Sequence, residues 1–141
     1  MHRLLLIALF APIAAIAEPI EPGNWEFTVD MHAQGLGAFQ PKPGAASKNR
    51  CITPEQAANP AKVLSDAGAR GECAFSNERD TGAEFSFDVQ CTGRIPMQGS
   101  GNMHYSAQAL EGDLNLDGDA QGMKFKTRSH ITGRRTGPCS S

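Results

Sequence analysis

Beyond its first residues the chain has no long apolar run. It also has no Cys-x-x-Cys pair, and only one tryptophan and one tyrosine in 141 residues. Each absence removes a class of function. A helix that crosses a bilayer needs ~20 consecutive apolar residues, so no membrane helix follows the N-terminal segment. Cys51, Cys73, Cys91 and Cys139 stand 22, 18 and 48 positions apart, spacings that match no zinc knuckle or paired-cysteine redox site. Thirteen lysines and arginines against fifteen aspartates and glutamates leave no dense basic stripe of the kind a phosphate backbone requires. Nucleic acid is therefore excluded as a partner. The local cluster Lys124, Lys126, Arg128, Arg134 and Arg135 reads as a solvated strand face.

What is present begins with an export signal. His2 and Arg3 give a basic start, residues 4–16 are apolar, and Ala15-Ile16-Ala17 offers a small-x-small cleavage site. Cleavage after Ala17 leaves a single domain over 18–141, folded in an oxidising compartment, the periplasm. There all four cysteines can pair. No cysteine follows the cleavage site to carry a lipid anchor.

The mature sequence alternates with a period of two, the mark of half-buried strands. Trp25, Phe27, Val29 and Met31 face one way in the first strand; Phe85, Phe87, Val89 and Cys91 do so later. Met97, Gly99, Gly101, Met103 and Tyr105 share a face, and the last strand puts Met123, Phe125 and Ile131 inside. Residues 34–47, rich in glycine and proline, read as a mobile loop, with a short strand near 48–53. Further turns are expected at 80–82, 94–96, 110–112 and 117–122. Thr53-Pro54-Glu55-Gln56 is a helix start with a capping box, and Pro60 divides the segment into helical turns over 54–59 and 60–67. Ala57, Ala61 and Leu64 are its buried stripe. The fold class is therefore mostly β: an antiparallel meander that closes into a small barrel or curled sandwich, with one short helical segment in a loop.

Four cysteines allow three pairings, and Cys51–Cys73 with Cys91–Cys139 is the favoured one. The first would close the helical loop; the second would tie the C-terminal tail to a central strand.

No catalytic constellation emerges. Gly99-Ser100-Gly101 lacks the strand-turn-helix elbow of a hydrolase nucleophile. His32, His104 and His130 lie on the polar faces of different strands, too far apart to share a zinc ion. Asp113, Asp117 and Asp119 lack the closing glutamate of a calcium loop. No metal and no cofactor is expected. Gly99 and Gly101, inward in an apolar strand, mark a sharp bend or a close strand approach. Gly23-Asn24-Trp25 looks like the Gly-x-Trp that opens the first strand of lipocalins. There a late arginine stacks on the tryptophan, a part open here to Arg134 or Arg135.

Several segments, in order, carry a wider likeness: 22–26 (Pro-Gly-Asn-Trp-Glu), 51–58 (Cys-Ile-Thr-Pro-Glu-Gln-Ala-Ala), Cys73, Cys91-Thr92-Gly93, 97–101 and the ending 133–139. Together they resemble the bacterial secreted family termed domain of unknown function 3617. That resemblance implies an envelope location in Gram-negative bacteria and brings no activity whose residues could be carried over. The reading that follows is a non-enzymatic protein that binds a small apolar ligand within the inward set Trp25, Phe27, Phe85, Phe87, Met97, Gly99, Gly101, Met103 and Tyr105. The alternative is an envelope interaction module that uses the 34–47 loop and the basic last strand on a protein or an anionic surface.

Overall fold

The computed structural model describes residues 19–39, 42–68 and 72–140; the expected leader and its cleavage site lie outside them. Seven strands follow the alternating segments: β1 (Gly23–Gln34), β2 (Gly44–Ile52), β3 (Glu72–Asp80), β4 (Glu84–Thr92), β5 (Met97–Tyr105), β6 (Ala109–Ala120) and β7 (Met123–Gly137). Two helices, α1 (Pro54–Ala57) and α2 (Pro60–Gly68), connect β2 to β3.

All strands join one antiparallel sheet in the order β2-β1-β7-β6-β5-β4-β3. Each strand pairs with its neighbour in the chain except at one step. First and last strands also pair, Phe27 opposite Gly133, which is the closing ladder of an up-and-down barrel. The opening lies between β2 and β3, where no ladder forms among the described residues and the chain passes through α1 and α2 instead. The sheet is thus curled but not closed.

The helical step is built as its sequence specifies. Thr53 caps α1: its hydroxyl accepts from the Gln56 amide at 3.2 Å while the Thr53 amide donates to Gln56 Oε1 at 2.9 Å. Asn59 Oδ1 accepts from the Ala61 amide at 3.0 Å and opens α2, with Pro60 in the first helical position. Ala57, Ala61 and Val63 are buried and Leu64 packs against the same cluster.

Four local expectations are corrected. Residues 44–47 are not loop but the start of β2, paired through Gly44 opposite Met31; an edge strand needs only backbone partners, so its composition gave no alternation to read. The turn expected at 110–112 sits at 106–108, where the Ser106 amide donates to the Ala109 carbonyl at 2.8 Å. Gly112 is not a turn residue but a close-approach position, because a Cβ there would collide with the Asn102 carbonyl. The 117–122 turn narrows to Gln121-Gly122, with φ of 57° and 88°, and β6 continues to Ala120. Met123, the first residue after that turn, is exposed rather than inside.

The disulfides correct the favoured pairing. Cys73 bonds Cys91 and Cys51 bonds Cys139. Cys73 and Cys91 are direct partners in the β3–β4 register. Asn24 of β1 stands between Cys51 on one side and Gly137 on the other, so two more residues bring the tail to Cys51, at a Cα separation of 5.3 Å. Cys91 and Cys139 sit at opposite ends of the sheet and cannot meet.

Candidate functional site

The inner face of the sheet is filled. Trp25 and Met103 have no exposed surface, and Phe27, Phe85, Phe87, Val89 and Leu110 are buried around them. The filling depends on missing side chains. Phe87 stands opposite Gly101, and its ring occupies the space a Cβ would need; Phe125 does the same to its partner Gly118. At Gly99 a Cβ would strike the Asn115 carbonyl of the next strand. These glycines let rings lie flat and let strands approach, which is how a sheet is curved tightly.

The two ends of this interior differ. At the first, where β1 begins and β7 ends, the lead-in before β1 crosses the mouth. The Glu21 amide donates to the Ala107 carbonyl in the β5–β6 turn at 2.9 Å, and Ile20 is buried in the core. Trp25 Nε1 donates to the Glu21 carbonyl at 3.0 Å. Arg135 does not serve as a stacking partner for the indole. It lies over Gly23, donates from Nε to the Pro22 carbonyl at 3.0 Å and pairs with Glu21 at 3.6 Å, so it fastens the strap. Arg134 points to the outer face and pairs with Glu26 at 3.1 Å. Tyr105 Oη donates to Asp80 Oδ1 at 2.5 Å across β4; burial and then this bond push its pKa up to about 12.

At the second end the interior opens into a cleft of about 760 Å³. Five strands contribute their ends. Cys91, Met97, Gly118 and Phe125 supply apolar surface, and residues such as Gln34, Thr92, Gln98, Asp117 and Lys124 complete the lining. Its volume falls in the range of small-molecule sites, roughly 300–1,000 Å³.

Of the nine residues singled out for ligand contact, Met97 lines this cleft. Trp25, Phe27, Phe85, Phe87 and Met103 form the core behind it; Tyr105 packs at the covered end; Gly99 and Gly101 lie at close approaches. Sequence reading missed Gln34, Gly35, Thr92 and Pro96 because they lie at the edges of three different strands, β1, β4 and β5, and share no motif across them. The one signal present was an inward Phe125 in the strand that follows Gly118.

The outer face carries the charge. Lys126 pairs with Asp117 at 3.4 Å, and His130 with Asp113 at 2.9 Å and Glu111 at 3.3 Å, so these two positions of β7 are laced to acids on β6, as Arg134 is to Glu26 on β1. The hydrogen bond to Asp113, opposed by slight desolvation and aided by the charges of Asp113, Glu111 and Asp30, raises the His130 pKa. Such exposed pairs contribute little to stability. His32, His104 and His130 are all exposed, and no group of three metal-ligating side chains occurs among the described residues.

No curated protein and no solved structure matches the chain. A family model described as a protein of unknown function (DUF3617) matches residues 20–139, from the buried Ile20 of the strap to the Cys139 that closes the tail. The strap, the curled sheet and both disulfides all fall within that match, and the chain belongs to this family.

Proposed function

We propose that this is a non-enzymatic periplasmic protein that binds a small, largely apolar ligand in the cleft at the open end of its sheet. The observation that carries the reading is the cleft itself, about 760 Å³, with Met97, Phe125 and Cys91 on its walls. A filled core behind it serves as a rigid wall, so the ligand enters by the mouth rather than threading the interior. Polar groups on the lining suit a ligand with one polar end. Two disulfides favour an oxidising compartment. The leader-like start favours the periplasm, with Glu18 as the first mature residue.

Native mass spectrometry of the envelope-purified protein, with titration by a solvatochromic dye, tests the reading. The expected result is a co-purified ligand or saturable dye binding that Met97→Glu abolishes without changing the circular dichroism. Absence of both a co-purified ligand and dye binding would overturn it.

A second reading, an envelope interaction module, is favoured by one observation. Among the described residues β2 pairs only with β1; it is unbroken over nine residues and bears Lys48 and Arg50 without an acid. An acidic extended segment of a partner protein could add to such an edge. Crosslinking from Lys48 that returns one partner would support this reading; salt-insensitive association would count against it.

A further inference from the structure

The outer face of β4, β5 and β6 carries side chains that strands disfavour. Ser86 stands opposite Asn102, Asp88 opposite Ser100, and Ser100 opposite Asn115. Asparagine and aspartate are depleted in strands, where threonine or valine would pack better. On the neighbouring β6–β7 pair polar side chains engage one another, as His130 does with Asp113 and Lys126 with Asp117. Here, among the described residues, the side chains of Ser86, Ser100, Asn102 and Asn115 make no hydrogen bond within the protein. The unfavourable choice brings no return in stability, and such local conflicts are expected at functional surfaces.

The same residues line a depression of about 340 Å³, bordered by Asn77 and Asp88. Asn77 sits in a β-bulge at φ 51°, and its Nδ2 donates to Asp88 Oδ2 at 2.7 Å. Bulges re-aim side chains in this way, and a positive φ is uncommon for a residue other than glycine. Amide, hydroxyl and carboxylate groups thus converge on one hollow. No lysine or arginine lines it, while Glu84 and Asp88 do, so phosphate, sulfate and other anions are repelled. Arg79, across from Ser86, lies outside the lining.

We propose that this hollow binds a short neutral saccharide, whose adjacent hydroxyls both donate to and accept from such groups. This site is separate from the end cleft and does not rest on the apolar-ligand reading.

The test titrates the isotopically labelled, oxidised protein with maltotriose, cellotriose and tri-N-acetylchitotriose, followed by nuclear magnetic resonance. At least one should shift the amides of Ser86, Ser100, Asn102 and Asn115. Asn102→Val and Asn115→Val should each weaken binding by about fivefold, the loss of one net hydrogen bond, and should leave the melting temperature equal or higher. The proposal is overturned if none of the three shifts these amides, if the shifts fall only on cleft residues such as Met97 and Phe125, or if both valine variants bind as before. Loss of dye binding in Met97→Glu with saccharide shifts retained would separate the two sites.

Discussion

The two ends of the curled sheet are built from similar strands but treated in opposite ways. At the covered end the lead-in segment, Trp25, Arg135 and the Cys51–Cys139 bond draw the first and last parts of the chain together. At the open end Cys73–Cys91 joins neighbours that already pair, and nothing among the described residues lies across the cleft mouth in the manner of the strap. One end spends its side chains on closure; the other leaves Met97 half-buried beside empty space.

The sharpest break in that comparison should come from the disulfides. Cys51–Cys139 spans 88 positions and Cys73–Cys91 spans 18. On the loop-entropy estimate, removing the first costs about 4–5 kcal/mol and the second about 3 kcal/mol. Urea unfolding of Cys51→Ala/Cys139→Ala and Cys73→Ala/Cys91→Ala should show that order; equal losses would mean that the covered end is not where the chain is held.

Next in size is Trp25→Ala against Met97→Ala. Trp25 is fully buried, so its loss should cost about 3–5 kcal/mol, while half-buried Met97 should cost about 1 kcal/mol and alter dye binding instead. Arg135→Ala should cost about 1–2 kcal/mol through its bond to the Pro22 carbonyl. Because Trp25 is the only tryptophan, iodide quenching of its fluorescence reads whether the strap has lifted.

The smallest effect belongs to neither end. The His130 pKa is raised above its ordinary 6.5, mainly by the hydrogen bond to Asp113, so the folded state favours the protonated ring. Its stabilisation is complete below pH 6.5 and is lost as pH rises through the raised value. His130→Gln should therefore lower stability slightly at pH 5.5 and not at pH 8.5, measured by urea unfolding at both.

Much of the fold was legible because it is local. Alternation in 24–33 and 85–91 specified strands and their buried faces, and Thr53-Pro54-Glu55-Gln56 specified a capped helix before any tertiary contact is considered. The candidate site was less legible. The inward aromatic set read as the lining of a lumen, yet Phe87 and Phe125 turn flat over Gly101 and Gly118 and fill the space. Ring orientation depends on what the neighbouring strand leaves vacant, and no single strand records that. The strap was legible only as two prolines around Ile20; that it crosses to the β5–β6 turn depends on where that turn lies.

By itself, the sequence determined most of the strands, the buried face of those that alternate, where the helices start and that four cysteines are available for two bonds. The tertiary structure alone decided which cysteines meet, that the sheet opens between β2 and β3 rather than between its first and last strands, and that the cleft forms at one end. Side-chain periodicity is set by the backbone of each strand. Strand adjacency and register are set by packing across the whole sheet, and those relations appear only when the chain has folded.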